Sequence, residues 1–346
     1  MLRQGRRLFS ASTQTAPLLS SEQVYSRLND LRNEQEYSIY AMYSSLLGGI
    51  VTDRALMSLP IDDHMAHRGH GVFDTATLAE GKVYNANKHL DRLVRSAELA
   101  RIDLPFTKEG MIDAIVKTCA ASKQQNGSVR YYLSAGHGDF SFSPAACTPA
   151  FYVVVCEDLP IPNEWVTEGI NEVTVTTPMK PPLLANTKSS NYLLNCLMHM
   201  EAVDKGGKFG ILVDDDGLVA ESCVLNAAFV VPDGSGGLAL KTPTFDKILA
   251  GTTVARAMQL AQDVLVLKGD LTAVHQMDVS AAAMQQEAKE MMLMGGDTHL
   301  IPVVQWDGAT IGDGQVGAVA EQLTQLLAEE ARAGSSDHID VPYGLY

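Results

Sequence analysis

Apolar residues recur at helical spacing in several segments of the chain. Near the start, Val24, Leu28 and Leu31 share one face of a helix predicted over residues 20–33. Ser20 and Gln23 have the spacing of a capping box at the beginning of this helix. The sequence predicts further helices over residues 85–100, 108–122, 191–204, 251–264 and 316–327.

β-Branched and aromatic residues dominate the segments between these helices. Single strands are predicted in "YSIYAMYSSLL" (37–47), "SVRYYLSAG" (128–136), "FYVVVC" (151–156) and "EVTVTT" (172–177). Hairpins are predicted where two apolar runs flank turn residues, over residues 71–85, 209–222, 226–240 and 291–306. The first of these hairpins turns at Glu80-Gly81.

This mixture predicts a two-domain chain of the α+β or α/β class. We expect a small N-terminal α+β domain over residues 21–158 and a larger domain over residues 167–332. The proline-bearing segment over residues 159–166 is the candidate linker, and residues 333–346 have no period and predict a mobile tail.

Composition describes a globular protein and excludes several classes. Of the 346 residues 46% are hydrophobic, and no run of eighteen apolar residues occurs, so no membrane association is expected. The formal charge is −15, with 26 Lys and Arg against 41 Asp and Glu, which disfavours nucleic acid as a partner. Five scattered cysteines without a CxxC pair argue against a disulfide framework and a cysteine-rich zinc site.

The first twenty residues differ from the rest of the chain. They carry Arg3, Arg6 and Arg7 and several Ser and Thr, and the first acidic residue is Glu22. This composition is typical of an organelle transit peptide, and an ordinary disordered terminus is the alternative. We expect a mitochondrial address in preference to a plastid one, and a cytoplasmic protein if the segment is not a transit peptide.

Two other clusters have simpler explanations than a metal site. His64 and His67 have a spacing that could serve a metal on a helix, but Gly69 and Gly71 weaken that helix, and a turn with satisfied histidines is the preferred interpretation. The segment "DDDG" (214–217) lacks the spacing of a calcium loop and suits a hairpin turn. No metal is therefore expected. The motifs of serine hydrolases, dinucleotide-binding folds and P-loops are absent from the sequence.

A lone lysine, Lys188, lies in the small polar segment "ANTKSSN" (185–191). A surface loop would explain it, and so would a lysine reserved for covalent chemistry. Thr252 and Thr253 stand where a predicted helix begins. They could help to bind an anion at the helix N-terminus, or they could simply cap the helix. Glu221 ends a predicted strand, and Arg92 lies off the apolar stripe of its helix. Together a lysine, an acid, an arginine and a phosphate cup are the parts of a pyridoxal-phosphate site.

From about Asp63 to Gly317 the chain resembles the fold-type IV pyridoxal-phosphate enzymes, or class-IV aminotransferases. These comprise branched-chain aminotransferases, D-amino-acid transaminases and aminodeoxychorismate lyases. The resemblance is carried by segments in family order, namely "RGHGVFDT", "HLDRLVRSAELARIDLP", "TKSSNYL", "ESCVLNAAFVV", "KILAGTTVARAMQLA" and "IPVVQWDGATIGDGQVG". The chain is most similar to the plant-type D-amino-acid transaminase-like members.

The resemblance implies a cofactor site between two domains and a role for each matching residue. Lys188 would bind pyridoxal 5'-phosphate covalently and move the substrate proton, and Glu221 would face the pyridine nitrogen. The remaining roles concern the phosphate and the substrate. Arg92, Thr252 and Thr253 would hold the phosphate with Asn226 nearby, and Arg130 and Tyr192 would line the substrate pocket.

The resemblance also implies a homodimer with a ping-pong aminotransferase activity on an amino acid and a 2-oxo acid. The donor would be of the D-amino-acid or branched-chain type. The alternatives are a 4-amino-4-deoxychorismate lyase, which releases pyruvate and 4-aminobenzoate, and a catalytically degenerate protein that binds the cofactor. His70, Val254 and Gly296 depart from the family pattern and leave substrate choice and stereochemistry open.

Overall fold

The structure, a computed structural model, describes residues 16–333 and 337–346. Most of the predicted transit peptide, residues 1–15, lies outside the described residues, as do residues 334–336 of the predicted tail. The described chain forms two units with helices packed on sheets, one sheet of seven strands and one of ten. The predicted two-domain α+β architecture is confirmed.

The first unit wraps helices around an antiparallel sheet. Its elements in chain order are α1 (Ser21–Asn33), β1 (Ile39–Ser44), β2 (Gly49–Val51), α2 (His64–Arg68), β3 (Gly71–Ala79), β4 (Lys82–Val83), α3 (Ala86–Leu99), α4 (Lys108–Ser122), β5 (Gly127–His137) and β6 (Thr148–Cys156). Neighbouring strands follow the order β4-β3-β5-β6-β1-β2. β3 pairs with β5 from Gly71 to Leu78 but with β4 only at Leu78 and Ala79. Its other edge near Val72 is therefore available to a segment from outside the sheet.

The α3 helix covers one face of the first sheet with the stripe that its sequence predicts. Leu90, Leu93 and Ala97 are fully buried and pack against Val72 and other strand residues. Arg92 lies at the border of this stripe, one turn after the buried His89, and its guanidinium pairs with Asp74 on β3. From there its Nη1 also reaches the carbonyl of Ala250 in the second unit.

The second unit contains the larger sheet. Its elements in chain order are α5 (Asn163–Thr167), β7 (Ile170–Glu172), β8 (Thr174–Val175), α6 (Pro182–Ala185), α7 (Leu193–Asp204), β9 (Ile211–Val213), β10 (Val219–Ser222), β11 (Asn226–Pro232), β12 (Leu238–Thr242), α8 (Thr252–Leu260), β13 (Ala273–Gln276), α9 (Ala281–Glu287), β14 (Glu290–Gly295), β15 (His299–Trp306), β16 (Ala309–Thr310) and α10 (Ala318–Ala333). The main path of the sheet runs β16-β15-β14-β11-β10-β9-β8.

Both faces of the second sheet are buried at β11. Phe229 points into a core with Trp306, whereas Val230 points into a second core under α8 and α10. This explains the unbroken apolar run of the strand, since a strand covered on both sides has no polar face. The last part of the helix predicted over residues 251–264 is a π-helical turn, Ala261–Val266, that continues α8.

Two segments differ from their sequence-based expectations. The candidate linker contains the start of α5, and its Trp165 packs edge to face on Phe209 at 5.6 Å. The tail expected to be mobile forms β17 (Ile339–Asp340), which pairs with β4, and Val341 joins the first core. The tail has too few residues for a periodic pattern to be visible, and its order comes from the free edge that β4 offers.

The α1 helix forms with its predicted capping box, in which Ser20 and Gln23 bond reciprocally. Its apolar side chains are partly exposed, with Leu31 at 58%. Within residues 16–333 and 337–346, every helix is too short or too polar to cross a bilayer.

Candidate active site

The segment that carries Lys188 is anchored to the first unit by backbone pairing. The amide of Phe73 donates to the carbonyl of Lys188 at 2.9 Å, and the amide of Ser190 donates to the carbonyl of Gly71 at 2.8 Å. A further bond runs from the Lys188 amide to the Ser96 hydroxyl on α3 at 3.2 Å. Lys188 thus belongs to the second unit in sequence but is positioned by β3 and α3.

The amine of Lys188 points into a pocket lined by aromatic rings. Its Nζ lies 4.8 Å from the centre of the Phe73 ring and 3.4 Å from the hydroxyl of Tyr192. The ring of Tyr192 in turn packs edge to face on Phe73 at 5.0 Å.

Burial lowers the pKa of Lys188 to about 8, and the nearby positive charge of Arg92 acts in the same direction. The negative charges of Asp74 and Glu221 oppose the shift and keep it moderate. A substantial fraction of the amine is therefore neutral near neutral pH. A neutral amine is both a nucleophile and a base.

Glu221 and Asn226 face each other across the β10–β11 hairpin and hold the same backbone residue. The amide of Leu249 donates to Glu221 at 3.2 Å, and the amide group of Asn226 donates to the carbonyl of Leu249 at 3.1 Å. Because Leu249 leads into α8, these two side chains fix the position where that helix begins. Glu221 is itself buried, and burial raises the pKa of its carboxyl group.

The N-terminus of α8 is open to an anion. Its N-cap is Gly251, and within residues 16–333 and 337–346 no side chain caps this end. A Cβ at Gly251 would lie 1.9 Å from Oδ1 of Asn226, so this close approach requires glycine. The amides of Thr252 and Thr253 begin the first turn, where the helix dipole favours negative charge.

Arg92 reaches the same place from the first unit. Its Nε and Nη2 form a bidentate pair with Asp74 at 2.8 and 2.7 Å, and its Nη1 donates to the carbonyl of Ala250 at 3.4 Å. Burial alone would raise the pKa of Asp74, but Arg92 and His89 hold it well below its ordinary value. The guanidinium is thus kept in place by a buried anion beside the start of α8.

His89 extends this cluster to the second unit. Its Nδ1 lies 3.1 Å from Asp74 and its Nε2 lies 2.6 Å from Asp297, a close ionic contact rather than an aligned hydrogen bond. Although burial would lower the pKa of His89, Asp297 and Asp74 raise it to about 9. Asp297 also accepts a hydrogen bond from the backbone amide of Thr77 at 2.6 Å. This bond links Asp297 of the second unit to β3 of the first unit.

The structure brings most of the predicted site residues together. Lys188, Tyr192 and Glu221 share one pocket, and Arg92, Asn226, Thr252 and Thr253 converge on the segment 249–253 beside it. Arg130 lies further out on the same face of β5 as Tyr132, whose ring stacks on Phe73 at 5.9 Å. The neighbours of the Arg130 guanidinium are Tyr132, Cys156 and Tyr37, and its role in substrate binding stays a prediction.

The three departures from the family pattern have clear structural surroundings. His70 turns into the first unit, where its Nε2 lies 2.8 Å from the carbonyl of Ala100. Val254 is fully buried in the core below α8. Gly296 has φ +56°, and a Cβ there would lie 2.7 Å from the His299 ring, so the tight turn before Asp297 favours glycine.

Four charged residues of the site are missing from the sequence-based prediction, namely Asp74, His89, Lys180 and Asp297. Asp74 stands within the segment "RGHGVFDT", but its role depends on partners fifteen and eighteen residues away. Lys180 lies 3.6 Å from Glu221, although its sequence context, "PMKPP", resembles an ordinary loop. An Asp on a strand followed by an Arg on the next helix is a sequence signal that could have indicated Asp74. No feature of the sequence indicates Lys180.

These groups fit pyridoxal phosphate. The site offers a partly buried lysine with a lowered pKa, a buried carboxylate, an arginine and an uncapped helix start. The lysine suits the aldehyde of the cofactor, and the carboxylate suits its ring nitrogen. The arginine and the helix start suit a phosphate dianion.

We predict that Lys188 in cofactor-free protein reacts with formaldehyde and a hydride reductant with a midpoint near pH 8. Only the neutral amine reacts, so its methylation should level off above the lowered pKa. Lys117 is the control, because its ion pair with Asp113 raises its pKa and its methylation should still be rising there. Peptide mass spectrometry measures both, and a parallel pH profile for the two lysines would contradict the account.

Comparisons with known proteins identify the family. The family model for class-IV aminotransferases, "Amino-transferase class IV", matches residues 71–306. The chain is 45% identical over 336 residues to the chloroplastic D-amino-acid transaminase of Arabidopsis thaliana, covering 96% of this chain and 87% of that protein. It is 30% identical to a putative branched-chain-amino-acid aminotransferase of Methanocaldococcus jannaschii, covering 82% of this chain and 94% of that one.

A solved structure has the same fold. The T.th. branched-chain amino acid aminotransferase with pyridoxamine 5'-phosphate aligns with a TM-score of 0.77, covering 87% of this chain and 97% of that one. Its sequence identity of 22% limits this likeness to the fold. On the family match and the two relatives, the chain is a pyridoxal-phosphate-dependent aminotransferase and belongs to the class-IV aminotransferase family.

Proposed function

We propose that this aminotransferase takes its amino group from a D-amino acid and passes it to a 2-oxo acid by a ping-pong mechanism. The observation that carries the choice of donor is the 45% identity, over 96% of the chain, to a relative named D-amino-acid transaminase. The branched-chain donor that we also expected is supported by a relative at 30% identity and is the weaker candidate.

Lys188 is the catalytic base in this proposal. Pyridoxal phosphate, when bound, supplies an electron sink for the charge that develops at the substrate Cα. The Lys188 Nζ removes the proton from the Cα of the amino donor. In the second half-reaction it delivers a proton to the Cα of the 2-oxo acid. Its pKa of about 8 suits this work, because the same group must hold and release a proton near neutral pH. The Tyr192 hydroxyl, 3.4 Å away, orients the amine.

The other site residues bind and orient. Glu221 presents a buried carboxylate to the ring nitrogen, and Asn226 keeps Leu249 in place behind it. Arg92 and the amides of Thr252 and Thr253 bind the phosphate, since a dianion there meets a guanidinium and a helix N-terminus together.

Arg130 is the candidate for the substrate carboxylate. Its Nε is buried and has no hydrogen-bond partner within residues 16–333 and 337–346. A buried donor without a partner is costly, and a bound carboxylate would satisfy it. Tyr132, on the same face of the strand, and Tyr192 provide the apolar walls for the rest of the substrate.

We predict that the cofactor-loaded enzyme transfers the amino group of D-alanine to 2-oxoglutarate and releases pyruvate, and that it turns over D-alanine faster than L-alanine or L-leucine. Lys188→Ala should lower kcat by about 10³-fold or more, since no other base replaces the amine. Coupled assays measure both quantities. The matched control is Lys205→Met, which removes an exposed lysine at the end of α7 and should leave kcat unchanged.

Three outcomes would contradict the proposed activity. Faster turnover of an L-amino acid would assign the branched-chain type of donor. Release of pyruvate and 4-aminobenzoate from aminodeoxychorismate, without transfer of an amine, would assign the lyase activity. A protein that binds the cofactor and turns over none of these compounds would support the catalytically degenerate alternative.

We also propose an organellar homodimer. The composition of residues 1–20 and the chloroplastic relative support an organellar address. The comparisons give the mitochondrial preference no support, and the plastid is now the better proposal. A fluorescent fusion that stays in the cytoplasm would contradict the address. Light scattering that gives the mass of one chain would contradict the dimer, which rests on the family resemblance.

A further inference from the structure

A second lysine, Lys180, enters the site from the segment between β8 and α6. Its Nζ lies 3.6 Å from Oε1 of Glu221 and 5.4 Å from the centre of the Tyr192 ring. The side chains of Lys180 and Glu221 are only 13% and 10% exposed, so the pair is largely shielded from solvent. Tyr192 therefore lies between two lysines, with the amine of Lys188 on its hydroxyl side.

The two lysines differ in their partners. Lys180 is paired with a carboxylate, whereas the Lys188 amine contacts a hydroxyl and two aromatic rings. The remaining oxygen of Glu221, Oε2, accepts the Leu249 amide. A cation and a backbone amide thus hold the Glu221 carboxylate from two sides, and the carboxylate keeps its direction without the cofactor.

We propose that Lys180 is a positioning residue that keeps Glu221 ionised and aimed at the pyridine nitrogen of the cofactor. This inference rests on the cofactor site of the proposed function. Lys180 acts through Glu221 and takes no part in the covalent chemistry.

The physical reason is the cost of a buried charge. An isolated carboxylate in a shielded site tends to take up a proton, and burial indeed raises the pKa of Glu221 while the charge of Lys180 opposes the rise. A protonated Glu221 cannot accept a proton or an ionic hydrogen bond from the ring nitrogen. Because Lys180 lies beside the carboxylate, it favours the arrangement in which Glu221 is negative and the ring nitrogen is protonated.

The test measures binding of 4'-deoxypyridoxine 5'-phosphate, a cofactor analogue without the aldehyde, by calorimetry on cofactor-free protein. This analogue keeps the ring nitrogen and the phosphate but cannot react with a lysine, so the readout is independent of Lys188 chemistry and of turnover. Lys180→Met should weaken binding about tenfold, the equivalent of one pKa unit. Lys180→Arg should restore it to within about twofold, because it retains the charge.

A double-mutant cycle with Glu221→Gln separates an electrostatic role from a structural one. In the Glu221→Gln background, Lys180→Met should change the affinity by less than about twofold, since there is no carboxylate left to hold. Lys205→Met is the matched control, because it removes an ion pair with Glu201 outside the site and should leave the affinity unchanged. Circular dichroism checks the folding of each variant, and Lys180→Gln replaces Lys180→Met if the latter does not fold.

Each result bears on the inference. An equal loss of affinity in both backgrounds, or no loss in either, would overturn the role of Lys180 and leave the aminotransferase proposal intact. Failure of the unmodified protein to bind the analogue would overturn both, because the cofactor site itself would then be wrong.

Discussion

The site depends on the backbone pairing between β3 and the segment that carries Lys188. Two hydrogen bonds at Phe73 and Gly71 hold this segment of the second unit against a strand in the interior of the first sheet. The same strand presents the Phe73 ring to the Lys188 amine, the Asp74 carboxylate to Arg92, and the Thr77 amide to Asp297. One strand therefore fixes the lysine, the arginine and the turn at Asp297, and a shift of β3 would displace all three.

Charge is balanced around this strand before any ligand binds. The cations Arg92 and His89 face the buried anions Asp74 and Asp297, so the formal charges of the cluster nearly cancel. Lys188 lies at the edge of the cluster, where burial and Arg92 lower its pKa and Asp74 and Glu221 limit the change. In a shielded site these interactions are strong, because little water screens them. The pKa of this lysine is thus lowered mainly by burial, and the surrounding charges set how far it falls.

The sequence predicted the elements whose signals are local. The capping box at Ser20, the turn at Glu80-Gly81 and the apolar stripe of α3 need only neighbouring residues, and all three are present. Family motifs placed Lys188, Glu221 and Thr252 near each other, and their roles remain predictions. The sequence did not predict the position of Lys180, because that position depends on Glu221, which is distant in sequence. It did not predict strand β17 in the tail, because β17 pairs with the equally distant edge of β4.

The most direct test of the central claim is to find which lysine holds the cofactor. The two partly buried lysines of the site, Lys180 and Lys188, are eight residues apart and close to the same Tyr192 ring. Borohydride reduction of the cofactor-loaded protein fixes the cofactor where it is attached, and fragmentation of the peptide that carries both lysines locates it. The account predicts a pyridoxyl group on Lys188, with Lys180 unmodified. A pyridoxyl group on Lys180, or on a lysine outside this segment, would contradict it.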